Sequence, residues 1–257
     1  MSNRQLRVHS LPAHIAPDEL AESAVVVIDL LRATSTICQA LASGAREAVP
    51  FLEVEDALSA AAAAKDRSAI VLGGERKGGR IPGFDLGNSP SEYTPAAVGG
   101  RRVFITTTNG TRALFHARSA QRVLIGAIVN LSSLVRSLED EPRVDILCAG
   151  QKGNEAREDL LAAGAIVSRI QTLTGAAWHT NEVASTVRGK WETIAADAAA
   201  LNRTLSDQLA LELRDTPGGR NLLGIGLDQD LVDCAQIDRL TVVPELDVRA
   251  WRICLAH

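Results

Sequence analysis

The feature that most constrains this chain is the unbroken apolar run Val25-Val26-Val27-Ile28, closed by Asp29 and followed by Arg32, Thr34, Ser35 and Thr36. Such a run reads as a strand buried on both faces, as in a parallel sheet covered by helices. Ligands of such sheets bind beyond the carboxyl ends of the strands, where Asp29 stands. A carboxylate there can hold a metal ion or attack phosphorus. A guanidinium at Arg32 can clamp phosphate oxygens in bidentate fashion. The hydroxyls and free N–H groups opening the next helix can receive the remaining charge. The plainer reading is that Asp29 caps that helix and Arg32 pairs with it.

Comparable segments recur. Arg102–Ile105 reads as a strand leading into Thr106-Thr107-Thr108-Asn109-Gly110-Thr111-Arg112, and Val144–Ala149 as one opening into Gly150-Gln151-Lys152-Gly153-Asn154. The stretches 26–51 and 104–127 share a strand, a threonine-rich loop with one arginine, a helix and a second strand, a weak internal duplication. Further strands are expected over Leu6–Ser10, Glu47–Leu52, Ala69–Leu72, Gln121–Ala127 and Leu240–Val243. Helices are expected over Thr36–Ser43, Val54–Arg67, Ala113–Arg118, Leu131–Leu138 and Glu158–Leu173. Trp178–Arg214 reads as mostly helical, broken by Pro217-Gly218-Gly219, with a further helix over Asn221–Ala235. The fold class is therefore α/β, a three-layer α/β/α arrangement on a largely parallel or mixed sheet. Residues 1–173 form the core with the phosphate-site loops. Residues 174–257 form a helical C-terminal part on the same core or a small subdomain.

Between Gly73 and Pro90 lies a glycine-rich segment carrying Glu75, Arg76, Arg80, Asp85, Asn88 and Ser89. A long loop of this kind inside a compact fold is usually functional. Glu75 and Asp85, with Asp29, could supply oxygen ligands for Mg²⁺; the plainer role of Glu75 is a surface pair with Arg76 or Lys77. Glu158 and Asp159 open a helix, where acids suit the dipole, and one of them could reach a metal. Asn109-Gly110 could present N–H groups to an anion or simply turn the chain. Cys148 reads as a small core residue. None of His9, His14, His116, His179 and His257 falls in a metal-binding spacing, and all read as solvent-facing or structural.

Composition excludes several classes. Aromatics are 3% of the 257 residues and the formal net charge is −4, so neither stacked bases nor a general basic face for nucleic acid or membrane is expected. No run reaches membrane-span length, no signal-peptide core precedes the first strand, and the four cysteines form no Cys-x-x-Cys pair. A cytoplasmic protein with free thiols is expected. The sequence leaves a homo-oligomer open.

Several ordered blocks resemble the 2-phosphosulfolactate phosphatase (ComB) family. They are Val27–Thr36, Gly73-Gly74-Glu75-Arg76, Gly83–Pro90, Thr106–Thr111, and Cys148-Ala149-Gly150 with Glu158-Asp159. The departure is Asn154-Glu155-Ala156-Arg157, where the family tends to carry an aromatic residue and a serine. The resemblance implies an Mg²⁺-dependent phosphoric monoester hydrolase that converts (2R)-phospho-3-sulfolactate to 3-sulfolactate and phosphate, on the route to coenzyme M. On the reading of the residues that accompanies this resemblance, Asp29, Arg32, Glu75 and Arg112 would be catalytic. Thr34, Ser35, Thr36, Arg76, Asn88, Ser89, Thr107, Thr108, Asn109, Gly110 and Thr111 would bind substrate. Asp29, Glu75, Asp85 and Asp159 would hold metal. Two other classes stay open: a non-catalytic module binding a phosphorylated metabolite, and an Mg²⁺-dependent phosphotransferase, although the chain has no Gly-x-x-x-x-Gly-Lys-Ser/Thr.

Overall fold

The fold is taken from a computed structural model, which describes residues 4–174 and 177–256; His257 lies outside them. In chain order the elements are β1 (Arg4–His9), β2 (Ala24–Ile28), α1 (Ala33–Ala42), β3 (Glu47–Pro50), α2 (Val54–Ala62), β4 (Ile70–Arg76) and β5 (Gly79–Arg80). There follow α3 (Pro95–Val98), β6 (Arg102–Thr106), α4 (Gly110–His116), β7 (Arg122–Gly126), α5 (Leu131–Arg136), β8 (Arg143–Cys148) and α6 (Arg157–Thr174). The chain ends with β9 (Trp178–Thr180), α7 (Glu182–Ala200), α8 (Leu205–Arg214), α9 (Pro217–Gly224), α10 (Asp228–Cys234), β10 (Pro244–Asp247) and β11 (Arg252–Leu255). All five residues of β2 are buried, so helices cover both faces of the sheet there, as its continuous apolar run requires.

The sheet order is β5-β4-β6-β3-β11-β10-β7-β2-β8-β1-β9. Within each half the strands are parallel: β4, β6 and β3 on one side, β7, β2, β8, β1 and β9 on the other. The β10–β11 hairpin lies between them through antiparallel pairings. Three antiparallel steps separate β7 from β3, so the two half-sheets run in opposite senses. The duplicated units β2-α1-β3 and β6-α4-β7 exchange their second strands: β2 pairs with β7, and β6 with β3. The order is thus palindromic about the hairpin, with β2 matching β6, β3 matching β7 and β4 matching β8. The weak repeat in the sequence is the trace of a pseudo-two-fold.

Four expectations are corrected. The glycine-rich segment does not begin as a loop, because β4 continues to Arg76. Glycines are needed there for close approach: a Cβ on Gly73 would lie 2.1 Å from Tyr93 Oη, and one on Gly74 2.0 Å from the Thr106 carbonyl oxygen. Helix α1 starts at Ala33 rather than Thr36. Pro217-Gly218-Gly219 opens α9 instead of breaking a helix, with Pro217 in the first turn and Thr216 Oγ1 accepting from Gly219 N. The late strand begins at Pro244, after residues 240–243, and its hairpin fills the middle of the sheet. The C-terminal part is thus mostly helical but also supplies the β10–β11 hairpin and β9. Leu209, Leu213, Leu222, Leu231 and Ile253 share one buried apolar cluster with Val25, Val26 and Val27 of β2.

Candidate active site

Asp29 follows the last residue of β2 and is 7% exposed. Its Oδ1 accepts from Ala33 N, the first residue of α1, at 3.3 Å. The carboxylate also accepts from the backbone N–H of Gly110, the first residue of α4. The openings of the two pseudo-equivalent helices therefore converge on one carboxylate. That approach depends on Gly110, where a Cβ would stand 2.9 Å from Asp29 Oδ2 and 2.6 Å from the Ala33 Cβ.

Three more acids brace neighbouring loops. Glu75 Oε1 accepts from Thr108 N at 2.7 Å, and its Oε2 from Gly78 N at 2.8 Å. Asp159 accepts from Leu30 N at 2.9 Å and from Gly150 N at 3.0 Å. Glu158 accepts from Thr216 and from the Gly218 N–H, while its buried Oε2 has no partner. All four acids are buried. Among the described residues no cationic side chain lies within 4 Å of any of them. Burial, reinforced by the charges of Glu75 and Glu158, pushes the Asp29 carboxyl up to about 7. Burial likewise raises Asp159, with Asp29 and Glu158 adding to it, and burial raises Glu158.

These groups border a cleft of about 780 Å³ lined by Asp29, Arg32, Glu75, Arg76, Asn88, Thr108 and Asn109 from the expected set. Buried Asn88 Oδ1 and Thr108 Oγ1 have no partner, so the lining holds polar capacity that no protein group uses. Arg32 Nη1 donates to Asp230 Oδ2 at 2.6 Å and to Ser89 Oγ at 2.8 Å, and Nη2 to the Gly78 carbonyl at 2.7 Å. Arg32 thus pairs with an acid of α10, not with Asp29. Arg76 donates to the Leu52 carbonyl and to Thr106 Oγ1.

The structure does not bring the rest of the expected set into the cleft lining. Thr34, Ser35 and Thr36 donate to the carbonyls of Asp29, Leu30 and Asn88. Thr107 and Thr111 bond to each other at the start of α4, and Ser89 serves the Arg32–Asp230 pair. Arg112 is exposed on α4. Asp85 lies outside the cleft, where it accepts from Arg67 and Leu72 N. Asp159 is buried outside the cleft lining and holds the Leu30 and Gly150 N–H groups. Cys148 is fully buried, and burial raises its thiol. His9 is buried against Asp145.

Sequence reasoning missed Lys77, Gln151, Lys152, Pro217, Gly218, Asn221 and Leu222 of the lining. Two of these could have been found, since Lys77-Gly78 and Lys152-Gly153 repeat a dipeptide after matching strands. The α9 residues gave no local signal, because the helix reaches the cleft only through tertiary packing.

The acids fit a hard divalent cation by chemistry: they offer carboxylate oxygens, no described cationic side chain lies within 4 Å of them, and Glu158 Oε2 has no partner. Among the described residues no three acidic, histidine or cysteine side chains form a ready-made cage. Mg²⁺ does not require one, because it commonly takes one or two carboxylates and completes its shell with water and phosphate oxygens. No described helix is long and apolar enough to cross a membrane.

The sequence model of the family described as 2-phosphosulpholactate phosphatase matches residues 9–248. A relative named probable 2-phosphosulfolactate phosphatase from Symbiobacterium thermophilum is 42% identical over 228 residues, covering 88% of this chain and 92% of the relative. Proteins of the same name from Parasynechococcus marenigrum and Caldanaerobacter subterraneus subsp. tengcongensis are 40% and 37% identical. The first alignment covers 91% of each chain, the second 89% of each. A match over nearly the whole length, with the converging loops inside it, means that this chain belongs to the 2-phosphosulfolactate phosphatase family.

Proposed function

We propose that the protein is an Mg²⁺-dependent phosphatase for a small, multiply anionic phosphate ester, (2R)-phospho-3-sulfolactate being the substrate its relatives' name indicates. The observation that carries this reading is the set of four buried acids with no cationic side chain within 4 Å among the described residues, opening through Asp29 and Glu75 onto a cleft that also carries cations. Buried charge of one sign is costly unless compensated. A divalent ion together with the phosphoryl group would provide that compensation.

Asp29 and Glu75, with the free Glu158 Oε2 nearby, would hold the ion. Bound there, Mg²⁺ would neutralise charge on the phosphoryl oxygens. The Ala33 and Gly110 N–H groups favour the ionised form of Asp29 and fix its orientation. Arg76, Thr108 and Asn109 border the space for the phosphoryl group. In the reaction the water oxygen bonds to phosphorus and the ester P–O bond breaks. The alkoxide leaves as the hydroxy acid after taking up a proton, balanced by the one that the attacking water gives up. The α9 residues Pro217, Gly218 and Asn221 wall the cleft and limit its access to bulk water.

Phosphate release from a panel of small phosphorylated acids, in Mg²⁺ and in excess EDTA, tests the reading. Release of phosphate from the phosphosulfolactate that EDTA abolishes is expected. Binding without turnover would make the protein a sensor, and undiminished turnover in EDTA would remove the metal.

A further inference from the structure

The two missed lysines occupy matching places. Lys77 and Gly78 are the central residues of the β4–β5 turn, between the paired residues Arg76 and Gly79. Lys152 and Gly153 are the central residues of the turn after β8, closed by reciprocal bonds between Gln151 and Asn154 at 2.8 and 3.0 Å. The φ angles are 55° and 84° in the first turn and 52° and 78° in the second. Positive φ at both central residues defines the type I′ turn, whose first central position favours Asn, Asp or Gly. Lysine is an uncommon and strained choice there, and it is made twice, on strands that the pseudo-two-fold relates. Strain of this kind gathers at ligand sites.

Both turns are anchored. The Gly78 carbonyl accepts from Arg32 and the Gly78 N–H donates to Glu75. Lys152 N donates to Asn109 Oδ1 at 3.3 Å. Both lysines line the cleft, both are exposed, and neither lies within 4 Å of an acid side chain among the described residues. The cleft thus combines an acidic floor with two unpaired ammonium groups, one from each half-sheet.

We infer that Lys77 and Lys152 form a twin clamp for the two acid groups that are not transferred, one lysine for each. This rests on the reading of the substrate as phosphosulfolactate and adds the residues that hold its sulfonate and carboxylate. A flexible ammonium suits this work, because it meets carboxylate and sulfonate oxygens as a point charge without demanding one geometry. Contacts to groups that do not change in the reaction act equally in ground and transition states, so they set affinity more than turnover.

The test measures binding of 3-sulfolactate, which has both acid groups and no phosphate, by calorimetry to the full chain. Lys77→Asn and Lys152→Asn keep the turns, since Asn accepts positive φ. Each should weaken binding about tenfold, roughly 1.4 kcal/mol, and the double variant by about the product. Lys77→Arg and Lys152→Arg should bind nearly as the parent does. Parent-like binding by both Asn variants, or no binding by the parent, overturns the clamp. Phosphate release by the parent is measured separately. If release occurs while the Asn variants bind normally, only the clamp fails. If binding depends on the lysines and no phosphate is released, only the phosphatase reading fails.

Discussion

The Asp230 carboxylate stands 2.6 Å from the Arg32 guanidinium, with both side chains almost fully buried. This contact ties α10 to the chain between β2 and α1, and through the Gly78 carbonyl to the Lys77 turn. Burial raises the Asp230 carboxyl, and the Arg32 charge opposes that rise. Asp230→Asn should leave a buried guanidinium without its partner, at a cost of roughly 3 kcal/mol. Denaturant unfolding measures this. A change below about 0.5 kcal/mol, the range of ordinary surface substitutions, would mean that the pair does not brace the fold.

Gly110 sets the distance between α4 and Asp29. Gly110→Ala would push a methyl into the Ala33 Cβ and Asp29 Oδ2 at 2.6 and 2.9 Å. The fold should survive with a modest loss of stability, while turnover should fall about a hundredfold through displacement of the carboxylate. Steady-state kinetics beside a thermal melt separates the two effects. Parent-like turnover would show that the convergence on Asp29 has no catalytic consequence.

Asp29 also makes a stability prediction for the metal-free protein. Its carboxyl ionises near 3.8 in an open chain and at about 7 in the fold. The folded state therefore binds more protons between these values. The group's contribution to stability is fully present below about 4 and is lost as pH rises through about 7. Asp29→Asn removes that dependence, so in EDTA the variant should melt higher than the parent at pH 8, and the gap should close toward pH 4. A pH-independent gap would contradict the assignment.

Much of this arrangement was legible in the sequence. The apolar run of β2 announced a buried parallel strand, and Asp29, Glu75, Asn88, Thr108 and Asn109, drawn from separate motifs, line one cleft. The half-sheets of opposite sense were not legible, because strand exchange between the two repeat units is a long-range choice that local pattern does not encode. Hydroxyl-rich loops misled for a physical reason: Thr34, Ser35 and Thr36 satisfy backbone carbonyls from inside a helix, a use that competes with ligand binding. Gly73-Gly74 reads as a loop by composition but serves close packing within a strand.

Arg112 provides a contrasting prediction. It follows Thr111 in the motif yet is exposed on α4, away from the cleft lining. Arg112→Ala should leave kcat and KM within about twofold of the parent, as expected of a surface change. A large rise in KM would show that the side chain reaches the substrate.

The most direct measurement is phosphate release from (2R)-phospho-3-sulfolactate by the parent and by Asp29→Asn, side by side in saturating Mg²⁺. The substitution keeps shape and removes the charge on which both helix openings converge. Turnover by the parent is expected, with a loss of at least about a thousandfold in the variant, roughly 4 kcal/mol of transition-state stabilisation. A loss of tenfold or less, or no phosphate released by the parent, would contradict a phosphatase site centred on Asp29.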